Sequence, residues 1–151
     1  DAVRAGGGVP VPAPDGYAGV IVAASVHVSG YQRAVERWIA AHRNPLQAKP
    51  SAFLSVCLGV LQEEPSVQRE IAAIMDGFLT RVSWKPPMTR TIAGALLYTR
   101  YDWIKRWVMR RISRKAGRET DPSRDYEYTD WNAVRAFAVE FLKLVVRGGS
   151  T

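Results

Sequence analysis

Two stretches of this 151-residue chain hold residue types that could do chemistry. The first, Ser25-Val26-His27-Val28-Ser29-Gly30-Tyr31, joins an apolar run to a helical pattern through small and polar residues. Its amides and hydroxyls suit the edge of a planar cofactor, with Tyr31 or His27 near the ring. A plain connecting loop has the same composition, and the residues alone support both readings. The second stretch is Tyr101 to Ala116. In helical projection Tyr101, Trp103, Ile104, Trp107, Val108 and Ile112 fall within about half the circumference, with Lys105, Arg106 and Arg110 opposite. Arg111, Arg114 and Lys115 lie along the apolar arc, from which long basic side chains can snorkel. Tryptophan beside basic residues on one short helix is the pattern of an interfacial membrane helix. It is also the pattern of a surface helix that packs its tryptophans inward. No nucleic-acid motif accompanies the basic residues, so no nucleic-acid partner is expected.

The remaining reactive types are isolated. His27 and His42 lack further ligands and there is no thiolate pair, so no metal site is expected. His42 falls where a helix C-terminus would welcome it. Cys57 sits inside an apolar run without a basic neighbour, which suits a core filler better than a nucleophile. Ser25, Ser29 and Ser55 lack the strand–turn–helix context of a nucleophile elbow, which excludes the usual hydrolase constellation. Gly6-Gly7-Gly8 runs into alternating prolines instead of opening a helix, against a phosphate loop.

These residues are positioned by alternating elements. Residues 1–16, with their glycines and prolines, read as a linker or the remnant of an upstream strand. Tyr17–Ala24 is a continuous apolar run, the mark of a strand buried on both faces. Tyr31–His42 turns helical through Tyr31, Val35, Trp38 and Ile39, and Asn44-Pro45 is expected to stop it. Ser51–Val60 is a second buried strand, followed by a helix over Ser66–Val82 with Val67, Ile71, Ile74, Phe78 and Val82 inward. Thr89–Leu97 gives a third strand. A last helix over Asp130–Val146 turns Trp131, Val134, Ala138, Phe141 and Val145 inward, and 148–151 is a tail. Strand and helix repeated three times predict an α/β fold, an open parallel sheet with helices on both faces. Ligands of such sheets sit beyond the carboxyl ends of the strands. The loops that matter are then Ser25–Tyr31, Leu58–Pro65 and the long insertion, 101–127, before the last helix.

Composition sets the bounds. The chain suits one domain, 17–147, and no apolar run approaches the ~20 residues of a membrane span. One cysteine fits a reducing, cytoplasmic compartment. The net charge is +7, and Arg100–Arg118 carries eight basic residues against Asp102, matching the whole formal excess. Such a block calls for an acidic partner.

Tyr17–Tyr31, Ser51–Val56, Ile92–Trp103, Gly117–Asp121 and Tyr128–Trp131, in this order and spacing, resemble the flavodoxin-type, menaquinone-dependent protoporphyrinogen IX dehydrogenases. The resemblance runs from about Asp15 to Leu144. It implies a flavodoxin-like domain with strand order 2-1-3-4-5 that binds FMN, oxidises protoporphyrinogen IX and passes electrons to a membrane quinone in haem biosynthesis. It implies FMN contacts from Ser25, Val26, His27, Val28, Ser29, Gly30 and Tyr31, and from Ser55, Val56, Cys57 and Leu58. Tyr98, Arg100 and Arg106 are then expected on the substrate's propionate side. Trp103 and Trp107 are expected at an anionic membrane surface, on the inner face of the cell membrane. Nothing before Tyr17 matches the family's Ser/Thr- and Gly-rich phosphate loop, so the expected domain lacks the first strand–loop–helix unit. Val28-Ser29 stands where many relatives carry an aromatic residue and glycine. A flavodoxin-like electron carrier and a flavin-free interaction domain are the alternatives.

Overall fold

A computed structural model of the chain describes residues 10–27, 30–96 and 126–148. Elements alternate along it: β1 (Val20–Ser25), α1 (Arg33–Ala41), α2 (Arg43–Ala48), β2 (Ser51–Val56), α3 (Pro65–Arg81), β3 (Met88–Ile92), β4 (Ala95–Leu96), β5 (Tyr126–Glu127) and α4 (Trp131–Gly148). The strands β1, β2 and β3 lie side by side in that order, all parallel. The short β4 and β5 pair antiparallel apart from them. Helices cover both faces of the parallel sheet, as the alternating pattern predicts.

Residue parity sorts the two cores. On one face Val22 and Ala24 of β1 and Phe53 of β2 pack under Val35 and Ile39 of α1, Leu46 of α2 and Phe78 of α3. Phe53 is wholly buried among rings, with centroids at 5.1 Å from Tyr31, 5.4 Å from Phe78 and 6.0 Å from Trp84. Each such pair contributes about 0.5–1.5 kcal/mol beyond its buried area. On the other face Ala52 and Leu54 of β2 and Ile92 of β3 pack under Phe137 and Phe141 of α4. β2 is therefore buried on both faces, as its unbroken apolar run requires.

β1 departs from the expectation of two buried faces. Only Val22 and Ala24 are buried, while Ile21 is 38% exposed and Ala23 is open. The reason is the placement of α4. Arg90 of β3 bonds Glu140 at 3.0 Å and Phe137 and Phe141 pack on β2 and β3, so the helix reaches the β1 side only at Gly19, against Phe141 and Val145, and leaves Ile21 and Ala23 uncovered. Val20 and Val26 direct their N–H groups to Pro50 and Val56, so those of Ile21, Ala23 and Ser25 turn to the opposite edge. Among the described residues no strand pairs with that edge.

Other bounds shift for local reasons. Asn44-Pro45 does not end the helical stretch. The chain pauses at His42 (φ −116°, ψ 21°) and resumes as α2, with Pro45 in the first turn, where an N–H has no helical partner to lose. His42 does close α1, its Nδ1–H donating to the Trp38 carbonyl at 2.9 Å. β2 stops at Val56 because Leu58–Leu61 winds into a 3-10 turn. β3 stops at Ile92, since a Cβ on Gly94 would stand 2.4 Å from Val56 Cγ1 and only glycine passes so close.

The two long helices have chemically defined ends. Asp130 Oδ1 accepts the N–H groups of Asn132 and Ala133 at 2.9 and 3.0 Å, capping α4. Trp131 then points outward, 62% exposed, where the helical stripe predicts it inward; Phe137 is buried in its stead. After α3, Ser83 takes φ 52°, its N–H reaching Thr80 O and the Trp84 N–H reaching Leu79 O. This closes a Schellman motif, and Trp84, wholly buried, makes its apolar contact.

Candidate functional site at the carboxyl ends of the strands

Parallel pairing brings three strand ends level. Ser25 stands opposite Val56, and Val56 opposite Ile92. The ladder continues one residue further, with Val26 N–H on Val56 O and Cys57 N–H on Ile92 O, both at 2.9 Å. The loops leaving β1 and β2 thus start from fixed positions on one edge. This is the edge where a ligand of an open α/β sheet binds.

The loop after β1 is closed at its base by two reciprocal bonds, His27 N–H to Gly30 O at 2.8 Å and Gly30 N–H to His27 O at 3.1 Å. Val28 and Ser29 lie outside the described residues. Side chains knit the flank. Gln32 Nε2 donates to Ser25 Oγ at 2.9 Å and approaches His27 Nε2 at 2.8 Å, while Ser25 Oγ lies 3.1 Å from the same ring nitrogen. Gln32 is absent from the residues expected from sequence. In the sequence it falls inside the expected helix Tyr31–His42, where it reads as helix surface.

The structure divides the expected flavin-binding residues. His27 is exposed and Ser25, Val26 and Gly30 are half-buried, as are Val56, Cys57 and Leu58. Tyr31 and Ser55 are buried and spend their hydroxyls on each other at 2.7 Å. Burial raises the Tyr31 phenol above its ordinary 10.0; the Ser55 bond offsets part of this, and the Cys57 sulfur adds to the rise. Neither side chain is open to a ligand, so these two serve the site by fixing the loop. Tyr98, Arg100, Trp103, Arg106 and Trp107 lie outside the described residues.

A planar heterocycle carrying polar edges needs donors and acceptors around an accessible rim. The strand-end loops supply a hydroxyl, an imidazole and a carboxamide, and the buried Gln32 Oε1 has no hydrogen-bond partner. These groups fit the ring of a flavin. A concavity of about 190 Å³ lies elsewhere, along β1 and lined by Pro12, Tyr17, Ile21 and Trp38 among others. It is smaller than the roughly 300–1,000 Å³ of a usual cofactor site, and it does not reach the strand ends. Among the described residues no cluster of metal-ligating side chains occurs. No helix there is long and apolar enough to cross a membrane.

Comparison with known proteins follows the same lines. A family model described as a flavodoxin domain matches residues 5–123. The protoporphyrinogen IX dehydrogenase [quinone] of Escherichia coli (strain K12) is 34% identical over 133 residues, which are 88% of this chain and 73% of the relative. The protein of the same name from Leishmania major is 34% identical over 128 residues, 85% of this chain and 55% of that one. No solved structure matches.

Proposed function

The chain belongs to the flavodoxin-like protoporphyrinogen IX dehydrogenase family, and from that premise we propose that it forms an FMN-dependent oxidoreductase that oxidises protoporphyrinogen IX with a quinone as acceptor. The observation that carries this reading is the level alignment of Ser25, Val56 and Ile92. It sets the loops Ser25–Tyr31 and Ser55–Leu58 side by side at the ligand edge of a parallel sheet.

The isoalloxazine ring of FMN supplies a two-electron acceptor when bound, so the six-electron conversion of porphyrinogen to porphyrin takes three rounds, each passing two electrons to a quinone, and the protein's share is binding and orientation. Ser25, His27, Gln32 and the backbone of Gly30, together with Val56, Cys57 and Leu58, would hold the ring. Tyr31 and Ser55 hold the first loop against β2 from within the core. The basic insertion, 101–127, is the substrate and membrane side of the reading. Arg100 and Arg106 would pair with the propionates of a flat apolar macrocycle beside Tyr98. Trp103 and Trp107 would sit in the interface of an anionic leaflet, bringing the site to a lipid-soluble quinone on the cytoplasmic side.

The test is a titration of FMN fluorescence with the 151-residue chain, followed by oxidation of protoporphyrinogen IX with and without a soluble quinone. Saturable quenching and quinone-dependent formation of protoporphyrin are expected. Quenching with no porphyrin oxidation would overturn the substrate and leave an electron carrier. Absence of quenching, both for this chain and for a longer chain extended at its N-terminus, would overturn the flavin reading itself.

A further inference from the structure

The loop leaving β2 is shaped by α3 as well as by its own turn. Leu58–Leu61 forms a 3-10 turn, with Val60 N–H on Cys57 O at 3.2 Å and Gln62 N–H on Gly59 O at 3.0 Å. Short 3-10 turns have poor hydrogen-bond geometry and leave the carbonyls at their end unpaired. Gln68 of α3 answers two of these, its Nε2 donating to Val60 O at 3.3 Å and to Gln62 O. Carbonyl oxygens only accept, so the amide nitrogen must face them, and it has one proton for each. Gly59 lies close against the same helix, where a Cβ would stand 2.9 Å from Ile71 Cδ1. Cys57 N–H on Ile92 O at 2.9 Å holds the start of the loop. The far end of the turn is thus tied down by one side chain from another element.

We propose that Gln68 is a positioning residue for this loop. By holding Val60 and Gln62 it fixes the turn that begins at Leu58, on the ligand edge of the sheet. Affinity for the ligand then requires a hydrogen-bond donor at position 68. Gln68 acts through the two carbonyls rather than by contact with the ligand. Only the identity of the ligand rests on the flavin reading; the clamp stands on the ligand-free geometry. Glutamate has the shape of glutamine but sets a carboxylate, an acceptor alone, against two carbonyls. Lysine differs in shape but restores the donor. This contrast separates the hydrogen bonds from packing.

The experiment is residue-resolved amide hydrogen exchange of the full chain, wild type beside Gln68→Ala, Gln68→Glu and Gln68→Lys, with FMN titration of the same proteins well below their Tm. In the alanine and glutamate variants the Val60 and Gln62 amides are expected to exchange roughly tenfold faster, while amides of β1, β2 and β3 keep their wild-type rates. Gln68→Lys is expected to stay near wild type. FMN affinity should follow the same order, falling about tenfold without the donor and returning with lysine. Gln68→Glu carries the test if Gln68→Ala does not fold. Wild-type exchange at Val60 and Gln62 in the donorless variants would overturn the proposal. Faster exchange there with FMN affinity unchanged would overturn it too, since the bonds would then serve stability alone. A lysine variant as weak as alanine would overturn the need for a donor. A wild type that does not bind FMN would overturn the flavin reading instead, and the exchange rates would still decide the clamp.

Discussion

Tyr31 Oη donates to Ser55 Oγ at 2.7 Å, joining the end of the β1 loop to the carboxyl end of β2 across 24 residues of sequence. Both groups are buried, and the phenol ring also packs against Phe53 and Phe78, at 5.1 and 4.6 Å between centroids. The loop at the carboxyl end of β1 is thus anchored in the core by one side chain, while His27 stays at the surface.

Replacing Tyr31 by Phe leaves the Ser55 hydroxyl buried and short of a donor, at a cost of about 1–3 kcal/mol. Ser55→Ala leaves the phenol proton unpaired at a similar cost. The double variant removes both ends and is expected to be more stable than the two single losses added together. Urea unfolding of the four proteins measures this coupling, and strict additivity would show that the bond contributes nothing specific. The phenol also gives a pH signature. Its folded pKa is raised, so the unfolded chain releases this proton first as pH rises. Tyr31's share of stability is complete below pH 10.0 and is lost as pH climbs from there through the folded value. Tyr31→Phe lacks that alkaline component, visible as a shallower fall of Tm above pH 10.0.

Ser83 holds φ 52° at the end of α3, a region that costs an L-residue about 1–2 kcal/mol. Glycine removes that strain but adds about 0.4–1 kcal/mol of unfolded-chain entropy to be lost. The difference favours Ser83→Gly by roughly 0.5 kcal/mol or a little more, provided the Trp84 and Ser83 N–H bonds to Leu79 and Thr80 persist. A small rise in Tm is expected, whereas Ser83→Val should lower it, since a β-branched residue cannot take this conformation without strain. A lower Tm for the glycine variant would mean that the serine is not strained.

Gly94 lets the chain leave β3 against β2. A Cβ there would meet Val56 Cγ1 at 2.4 Å. Gly94→Ala must push Val56 aside, and Val56 is half-buried against the Ala52–Leu54–Ile92 core. Overpacking of this kind costs about 1–3 kcal/mol. Adding Val56→Ala removes the colliding methyl groups and is expected to recover part of the loss. If the double variant is no better than Gly94→Ala alone, backbone conformation rather than the close approach fixes the glycine.

The strand–helix alternation was legible because each element repeats a simple burial rule. β2 shows it best, with five consecutive buried residues in an unbroken apolar run. Ile71, Phe78 and Val82 are buried at helical spacing as expected. What sequence missed depends on neighbours far along the chain. Ile21 is exposed because α4 sits over β2 and β3, which no local pattern around Ile21 records. Trp131 reads as core by type and spacing, but Asp130 caps the helix there and fixes its first turn on the solvent side. At the site, loop position was legible from the strand ends, whereas side-chain roles were not. Tyr31 looked like a ring neighbour and is a core anchor; Gln32 looked like helix surface and knits the loop.

The basic insertion carries the last prediction. Arg100–Arg118 holds eight basic residues against Asp102, and Trp103 and Trp107 lie four apart on the same expected helical face. Near an anionic leaflet each basic residue is worth on the order of 1 kcal/mol, and two indoles add apolar anchorage at the headgroup level. Flotation of the protein with vesicles containing about one-third phosphatidylserine should therefore carry wild type to the lipid fraction at low salt. Trp103→Ala/Trp107→Ala should lose most of that binding while its circular dichroism stays unchanged. Electrostatics and anchorage separate by salt: the charge component fades as the Debye length shrinks from about 10 Å at 0.1 M to 3 Å at 1 M. Indole-dependent binding should persist through that change. Equal flotation of wild type and the double variant at every salt concentration would assign the tryptophans to packing within the protein and leave the surface charge alone to attract the membrane.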